Sequence, residues 1–569
     1  MIVWRHYLVV GFFLFGVLAL SVRIVYLGVT EHDFLQEQGD ARSVRHETIP
    51  AMRGVITDRH GEPLAVSTPV YAVWANPSKA DLSRADTKAL ANLLEVTEKS
   101  IQQRLEKYAS KSFVYLKRRI TYQAAQQLKA QSLSHVYLQP EYRRYYPAAE
   151  TAAHVVGLTD LDDAGIEGIE YAFDKVLRGA PGGKVVLKDR RGSTIRDLEY
   201  LGAPIYGQDL RLSIDLSLQF TAYRELKSAI AAHDAKAGSV VIVDVKTGEI
   251  LSLVNQPSYN PNDVSSELGG MRNRAVTDAY EPGSTMKPFT ALAALESGRY
   301  QSRTTMDTSP GYFRIGSKLI QDPVNRGVIT LSQAIKKSSQ VMFAKIALEL
   351  GDESVFDVMS RAGVGQYPGT GLPGEARGYL DSAQLRYPVV RAALAYGYGL
   401  SVTPLQLAQA YATLASHGVH RPLTILKGQQ PAQERRIFDE SLTREVVAMM
   451  ETVTEPGGTA MAAKVAGYRV AGKTGTARMV GPNGYDDQRH TAWFAGMVPV
   501  SDPRLVVVVL INEPAAGVTG GGAVAAPVFA RIARRTLPLL GIQPDAKKQT
   551  TALTMAPPSD RVSSDRSRG

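Results

Sequence analysis

Residues 280–288 read Tyr-Glu-Pro-Gly-Ser-Thr-Met-Lys-Pro, which has the form of a helix start with candidate catalytic side chains. Proline is tolerated in the first turn of a helix, so Pro288 predicts a helix over 284–295 with Ser284 at or near its start. Side chains at i and i+3 share one helix face, which places Lys287 beside Ser284. Because a serine hydroxyl needs a proton acceptor to become a nucleophile, these two residues are a candidate nucleophile and base.

The lysine is a base only if its pKa falls well below about 10.4, through desolvation or a neighbouring cation. The base is then either Lys287 itself or a relay through Ser338. The spacing alone also has an ordinary interpretation, a helix start followed by a solvent-exposed lysine. A helix start at Ser284 would also direct backbone N–H groups at a developing oxyanion.

A second segment supports the chemical interpretation. Residues 473–476 read Lys-Thr-Gly-Thr within 468–477, which has the composition of a strand. A glycine in a strand often marks close approach by a ligand or by another backbone. A peptide can add to such an edge as an extra strand, with Lys473 attracting its terminal carboxylate. The other Lys-Thr-Gly, at 246–248, is interpreted as the turn of a hairpin.

Composition excludes several function classes. The chain has 569 residues, 44% of them apolar and 21% charged, which fits a globular protein of two or three domains. It contains no cysteine, which excludes thiol catalysis, disulfides and cysteine-ligated metal sites. The net charge of +10 is modest, and no basic run with interleaved aromatic residues indicates nucleic acid.

The N-terminus predicts a membrane anchor. Residues 7–22 carry no charge, and the apolar run continues to 27, close to the ~20 residues that span a bilayer. No Ala-x-Ala-like cleavage site follows, which disfavours a signal peptide. Basic residues precede the run and acidic residues follow it, so residues 1–6 are predicted to be a cytoplasmic tail and the body to be exported. Arg23, near the far end, weakens that orientation.

Three further regions follow the anchor. Residues 28–215 mix strand-like and helical pieces without a nucleophile–base pair, which indicates a structural or docking domain. Residues 216–540 begin with a hairpin over 239–254 and end with strands and a helix. Strands at both ends with helices between them predict an α+β domain in which an antiparallel sheet packs against helices. Residues 541–569 are rich in Ser, Thr, Pro and charge, which predicts disorder.

Two helices within this domain are predicted in more detail. One runs over 331–350. Another follows Pro404, where Thr403 is a plausible N-cap and proline suits the first helical position.

The combination resembles the penicilloyl-serine transferase superfamily, whose pattern is Ser-x-x-Lys, then Ser-x-Asn, then Lys-Thr/Ser-Gly. The middle element falls at Ser338-Ser339-Gln340, where Gln340 departs from the usual asparagine. Glutamine keeps the amide but is one methylene longer. We therefore expect Gln340 to bind Lys287 and a substrate amide with altered reach, which affects the rate and the β-lactam profile more than the reaction class.

More of the chain is similar to the class B penicillin-binding proteins, the monofunctional transpeptidases, and within them to the septal, division-type branch (the penicillin-binding protein 3 group). In that branch an aromatic pair usually precedes a late Gly-Gly, whereas Val518-Thr519 precede it here. We therefore expect the ligand preference of this chain to differ from that of the septal branch. The stretches that carry the resemblance are 39–45, 53–65, 144–147, 165–170, 396–404 and 457–460.

The resemblance implies a mechanism without a metal or organic cofactor. Ser284 attacks the penultimate D-alanine carbonyl of a peptidoglycan stem pentapeptide, Lys287 accepts its proton, and Ser338 delivers protons to the leaving group. β-Lactam antibiotics acylate the same serine. Substrate binding is assigned to Gln340 and to the strand residues Lys473, Thr474, Gly475 and Thr476, with the N–H groups of Ser284 and Thr476 as the oxyanion hole.

It also implies a location and partners. The chain would be a single-pass protein of the bacterial inner membrane with its catalytic domain in the periplasm, acting in cell-wall synthesis at the septum during cell division. Its anchor and pedestal would dock a polytopic septal glycan polymerase and other divisome proteins, with Arg42, Arg53 and Arg144 the pedestal residues of interest.

Four alternatives stay open: an elongation-type class B transpeptidase, a specialised or non-catalytic paralogue acting as a divisome scaffold, a serine β-lactamase and an antibiotic sensor. An anchor and a pedestal of about 190 residues are needless for a β-lactamase. The short predicted tail at 1–6 leaves no room for the signalling module of a sensor.

Overall fold

The computed structural model describes residues 3–80, 82–131, 133–189, 194–263, 268–429, 433–482 and 484–546. The predicted C-terminal disorder at 541–569 therefore falls mostly outside the described residues. The contacts divide the chain into two compact units. The first contains the described residues up to Leu212 together with 258–271 and 371–373, and the second contains the rest. The domain boundaries at 27, 215 and 540 stay predictions.

The first unit begins with a long apolar helix. Helix α1 (Val3–Val25) continues into a π-helical stretch, Tyr26–Thr30, and is followed by α2 (His32–Ser43). Residues 3–30 form a helix long and apolar enough to cross a membrane. None of these residues is buried against other described residues. The prediction of one N-terminal apolar helix is confirmed.

The rest of the first unit is a mixed α/β body. A sheet is built around β3, which pairs antiparallel with β2, β4 and β5, and helices α3, α4 and α5 bury Leu90, Leu94, Ile101 and Leu128 in its core. A second sheet has the order β1-β8-β9. The elements are β1 (Val44–Ile49), β2 (Ile56–Thr57), β3 (Pro63–Ala75), α3 (Arg84–Leu94), α4 (Glu98–Lys107), β4 (Val114–Ile120), α5 (Tyr122–Gln131), β5 (Val136–Tyr145), α6 (Ala153–Val156), β6 (Leu158–Thr159), β7 (Gly165–Glu167), α7 (Gly168–Ala172), α8 (Asp174–Leu177), β8 (Gly182–Lys188), β9 (Thr194–Gly202) and β10 (Leu210–Arg211).

A buried ion cluster joins distant parts of this unit. The carboxylate of Glu170 accepts from Arg53 Nε and from Arg144 Nε, each at 2.6 Å, and all three side chains are buried. Arg53 also contacts Asp174 at 2.6 Å. Buried ions are tolerated only when paired, so Glu170 holds the two arginines in place. The side chain of Arg42, the third arginine of interest, lies outside the described set.

The second unit is an antiparallel sheet of order β12-β11-β21-β20-β19 covered by helices. Every residue of β11, β12 and β21 is buried, so both faces of the central strands are covered. This confirms the predicted α+β architecture. The elements are α9 (Leu216–Ala232), β11 (Ala237–Asp244), β12 (Ile250–Gln256), α10 (Arg274–Thr277), α11 (Lys287–Glu296), β13 (Thr305–Asp307), β14 (Tyr312–Ile315), β15 (Lys318–Gln321), β16 (Val328–Thr330), α12 (Leu331–Lys337), α13 (Gln340–Leu350), α14 (Ser354–Arg361), α15 (Pro388–Leu394), α16 (Pro404–Ala415), β17 (Val419–His420), β18 (Arg435–Arg436), α17 (Glu440–Glu451), β19 (Ala471–Gly481), β20 (Gly484–Val498), β21 (Leu505–Asn512), α18 (Gly521–Val524) and α19 (Ala526–Leu539).

Local predictions fare unevenly. The hairpin with its turn at 246–248 is confirmed, as β11 and β12 pair antiparallel and Gly248 has φ +73°. The cap before α16 is also confirmed, since Thr403 and Gln406 form a reciprocal capping box. The single helix over 331–350 is wrong: α12 ends at Lys337, and Ser338 adopts a left-handed conformation with φ +59° before α13 begins.

Candidate active site

Ser284 lies on a tight turn and not on the α-helix predicted for it. Residues 283–286 form a 3₁₀ turn, and α11 begins only at Lys287. The turn is held from below, because the buried Tyr411 hydroxyl donates to the carbonyl oxygen of Thr285 at 2.7 Å. Within the described part of the chain, the Ser284 hydroxyl makes no hydrogen bond, and its side chain is partly exposed. The serine is therefore fixed in position with its hydroxyl available.

The amine of Lys287 is buried beside this turn. It is 0% exposed, and its Nζ donates to the carbonyl oxygen of Ser338 at 2.6 Å and to Ser338 Oγ at 3.1 Å. Burial lowers the pKa of Lys287 well below its ordinary value, and the nearby charge of Lys473 lowers it further. A buried lysine with a lowered pKa is available as a neutral amine, the form that accepts a proton.

A second buried lysine reaches the same hydroxyl. Lys473 is 0% exposed, and its Nζ donates to Ser338 Oγ at 2.9 Å and to the carbonyl oxygen of Thr474 at 3.2 Å. Burial lowers the pKa of Lys473 to about 7. The Ser338 hydroxyl thus bridges the two lysines, and sequence elements that are far apart in the chain converge on one oxygen atom.

The position of Ser338 depends on Asp322, a residue that the sequence analysis missed. Asp322 lies after β15, and its carboxylate accepts from the Ser339 hydroxyl at 2.5 Å and from the backbone N–H of Gln340 at 2.5 Å and of Val341 at 3.2 Å. A carboxylate at the start of a helix satisfies its free N–H groups. These bonds fix the break between α12 and α13. No local sequence pattern predicts that Asp322 makes them.

The Lys-Thr-Gly-Thr segment lies on β19, the edge strand of the sheet. A Cβ on Gly475 would lie 2.5 Å from the carbonyl oxygen of Pro282, so only glycine lets the strand lie against the serine turn. This contact is with backbone, one of the two possibilities predicted for the glycine. The threonine hydroxyls are also ordered: Thr474 Oγ1 lies 2.9 Å from Thr459 Oγ1, and Thr476 Oγ1 accepts from the N–H of Gly521 at 3.1 Å.

A side groove of about 640 Å³ opens next to these groups. Gln340 lines this groove, and Lys287 Nζ finds its partners on Ser338, so the expected contact between Gln340 and Lys287 is not among the contacts of the described structure. Behind the groove wall, Glu281 accepts from the N–H of Gly399 and from Tyr485 Oη. Other groove residues are Lys318, Leu319, Gln321, Asp322, Pro323, Tyr379, Asp381, Tyr396, Tyr398, Gly399, Arg478 and Tyr485.

Two predicted features remain, the earlier Lys-Thr-Gly and the Val518-Thr519 pair. The earlier Lys-Thr-Gly is a hairpin turn in which Lys246 pairs with Asp502 at 2.5 Å. Val518, which stands where the resembled branch has an aromatic residue, is 47% exposed. The short loop after Val518 leads to Gly521, whose N–H donates to Thr476 Oγ1.

Comparison with known proteins agrees with this geometry. The penicillin binding protein transpeptidase domain matches residues 238–534, and the penicillin-binding protein dimerisation domain matches 48–212. The chain is 43% identical over 549 residues to peptidoglycan D,D-transpeptidase FtsI of Escherichia coli K12, covering 95% of this chain and 93% of that protein. It is 39% identical over 551 residues to the probable peptidoglycan D,D-transpeptidase PbpC of Pseudomonas aeruginosa, covering 97% and 98%.

Solved structures are similar as well. The crystal structure of penicillin binding protein 3 from Mycobacterium tuberculosis, complexed with aztreonam, aligns with a TM-score of 0.68 and 26% identity, covering 88% of this chain and 98% of that chain. The matched segments contain both the serine turn and the Lys-Thr-Gly edge strand. The chain therefore belongs to the penicillin-binding protein transpeptidase family.

Proposed function

We propose that this chain is a peptidoglycan D,D-transpeptidase that cross-links stem peptides through an acyl-enzyme on Ser284. The observation that carries the proposal is the Ser338 hydroxyl held between the buried amines of Lys287 and Lys473. That arrangement supplies a base, a proton carrier and an anion-binding cation within one small site. β-Lactams, which resemble the acyl-D-alanyl-D-alanine end of the stem, acylate the same serine.

Acylation begins when neutral Lys287 accepts the proton of Ser284 while Ser284 Oγ bonds to the penultimate D-alanine carbonyl carbon. The carbonyl oxygen becomes an oxyanion, which the N–H groups of Ser284 and Thr476 receive. The carbon–nitrogen bond then breaks, and Ser338 donates its proton to the departing amine of terminal D-alanine. Protonated Lys287 returns a proton to Ser338, with which it is already hydrogen-bonded.

Deacylation runs the same steps in reverse with a different amine. An amino group from a neighbouring stem attacks the ester carbon and gives up a proton through Ser338 and Lys287. Ser284 leaves with a proton, and an amide cross-link joins the two stems. No step requires a metal ion or an organic cofactor.

The substrate carboxylate is assigned to Lys473 together with Thr474 and Thr476 on the edge strand. A charged lysine and two hydroxyls form short, charge-assisted hydrogen bonds to a carboxylate. Gln340 and the groove beside it are assigned to the stem preceding the scissile bond. Gly475 keeps the strand close enough to Ser284 for one substrate to touch both.

Binding of the carboxylate should depend on pH in a defined direction. Burial lowers the pKa of Lys473 to about 7, so its charge is present below pH 7 and lost above it. In the Ser284→Ala variant, the affinity for benzylpenicillin should therefore fall about fivefold between pH 7 and pH 8, measured by calorimetry. In Ser284→Ala with Lys473→Gln, binding should be weaker and independent of pH. A flat profile with Lys473 intact contradicts the assignment.

The departure at Gln340 should be measurable as a rate. Its longer side chain lines the groove, while asparagine would hold its amide one methylene closer to the helix start. We expect Gln340→Asn to raise the second-order acylation rate for penicillins about three- to tenfold, the worth of one hydrogen bond. Stopped-flow kinetics measures this, with Gln366→Asn, at an exposed position on the loop after α14, as the control for a generic effect. An unchanged or slower rate would show that Gln340 does not limit the reaction.

The activity itself is tested with glycan strands that bear stem pentapeptides. The full chain in detergent, supplied with nascent strands from a glycan polymerase, should release D-alanine and form cross-linked dimers detectable by mass spectrometry. Ser284→Ala should do neither. Release of D-alanine without dimers would indicate a hydrolase, and no release by folded protein would leave the scaffold interpretation.

We also propose a septal role, with one anchor in the inner membrane and the catalytic domain in the periplasm. The apolar helix and the similarity to FtsI support it. A fluorescent fusion should gather at midcell during division, where a septal glycan polymerase and other divisome proteins act. Accumulation along the side wall would favour an elongation-type enzyme.

Protease added to spheroplasts should remove the body, and protection of the body would contradict the orientation.

A further inference from the structure

Two helices of the second unit bring together a cluster of positive charge unrelated to the site above. Helices α9 and α19 pack against each other, and between them they carry five cationic side chains and one anionic one. The cationic residues are Arg224, Lys227, Arg531, Arg534 and Arg535, and the anionic residue is Glu225.

Three of these arginines share the single carboxylate. Glu225, whose side chain is 8% exposed, lies 2.7 Å from Arg531, 3.2 Å from Arg224 and 3.6 Å from Arg535. Among the described residues, one negative charge faces these three guanidinium groups, so two positive charges remain uncompensated within that set. The three arginine side chains are 39–51% exposed. Repulsion among them disfavours the arrangement, and an anionic ligand at the surface would relieve it.

An apolar groove lies directly beside Arg224, one of these arginines. Phe220 is 53% exposed although it is a large apolar side chain, and the Arg224 guanidinium lies 5.8 Å from its ring centroid. Phe220 forms the wall of a shallow groove of about 340 Å³ together with Tyr223, Arg224, Lys227, Ser228 and Ala231. Exposed apolar surface rimmed by charge of one sign is typical of a binding site for a protein segment.

We propose that the α9/α19 face, defined by Phe220, Arg224, Lys227, Arg531 and Arg535, binds an acidic segment of a partner protein. The segment places an aromatic or aliphatic side chain in the Phe220 groove and carboxylates on the guanidinium groups, which bind carboxylates bidentately. A free phosphate or a carboxylated glycan would use the arginines but leave the groove empty, and for that reason the groove favours a peptide. This inference does not depend on the proposed reaction.

The probe is a fluorescein-labelled peptide of glutamate and aspartate with one central phenylalanine, titrated against the full chain in neutral detergent and followed by anisotropy. We expect saturable binding that weakens about tenfold or more in the double variant Arg531→Ser, Arg535→Ser. Binding should also weaken on raising the salt concentration, since exposed charges are screened. Phe220→Ser, which keeps every charge, should weaken it as well.

The matched control removes two arginines from another surface. Arg436 and Arg444 both pair with Glu440, the first residue of α17, and their exposure is similar to that of Arg531 and Arg535. The double variant Arg436→Ser, Arg444→Ser therefore changes the net charge by the same amount as the test variant. Labelling of each variant by fluorescent penicillin checks that it is folded. Equal loss of binding in the control, or no binding at all, would overturn the proposal. The other contrary outcome is that the peptide fails to bind while phosphatidylglycerol vesicles bind the parent more tightly than the Arg531→Ser, Arg535→Ser variant. That result would overturn the proposal in favour of a membrane surface.

Discussion

Replacing Lys287 with alanine is expected to slow acylation by penicillin about 10³-fold while leaving the protein folded. The size follows from the usual contribution of a positioned general base, about 10²–10⁴-fold. Lys287 is buried, it donates to Ser338, and burial lowers its pKa well below the ordinary value. The neutral amine is the active form, so the acylation rate of the parent protein should fall as the pH drops through that lowered pKa.

The measurement is the rate of adduct formation with fluorescent penicillin, over a range of pH. Lys345→Ala is the matched control, because Lys345 is a lysine on α13 whose Nζ donates to the carbonyl oxygen of Asp307. The control should keep the parental rate and pH profile. A Lys287→Ala protein that reacts at close to the parental rate would show that another group accepts the serine proton.

The largest effect on stability is expected at Glu170. Glu170→Gln keeps the shape of the side chain but leaves Arg53 and Arg144 without the carboxylate that both contact at 2.6 Å. Removing one partner of a buried ion pair costs about 3–5 kcal/mol, because the remaining charge stays buried. The first unit should therefore open at lower temperature, with faster hydrogen exchange in β3 and β5.

The control for this prediction is Glu95→Gln in the same unit. Glu95 is 87% exposed in its pair with Lys117, and exposed pairs contribute about 0–1 kcal/mol. Hydrogen exchange followed by mass spectrometry separates the two units, so the second unit should exchange as in the parent. If Glu170→Gln exchanges like Glu95→Gln, the buried cluster does not hold the unit together.

The features that sequence could predict are those with a local physical cause. The apolar run of α1 needs no tertiary context, and Thr403 with Pro404 starts a helix because each satisfies a rule of the first turn. The placement of Ser284 just before α11 followed from Pro288 in the first turn of that helix. In all three cases the determining residues lie within a few positions of one another.

The missed features depend on contacts between distant residues. The helix break at Ser338 is stabilised by Asp322, which lies after β15 and outside residues 331–350. No residue within 331–350 predicts the break. The sequence predicts close approach at Gly475, but its neighbour, the carbonyl of Pro282, is known only once the sheet is assembled. The charge surplus at Glu225 likewise exists only because α9 packs on α19.

Mass spectrometry of the penicillin adduct identifies the acylated residue, which we expect to be Ser284. The full chain is incubated with fluorescent penicillin, digested, and the labelled peptide is identified by mass spectrometry. We expect a stable adduct on Ser284 that is absent from Ser284→Ala. An adduct on another residue, or none on folded protein with several β-lactams, would contradict it.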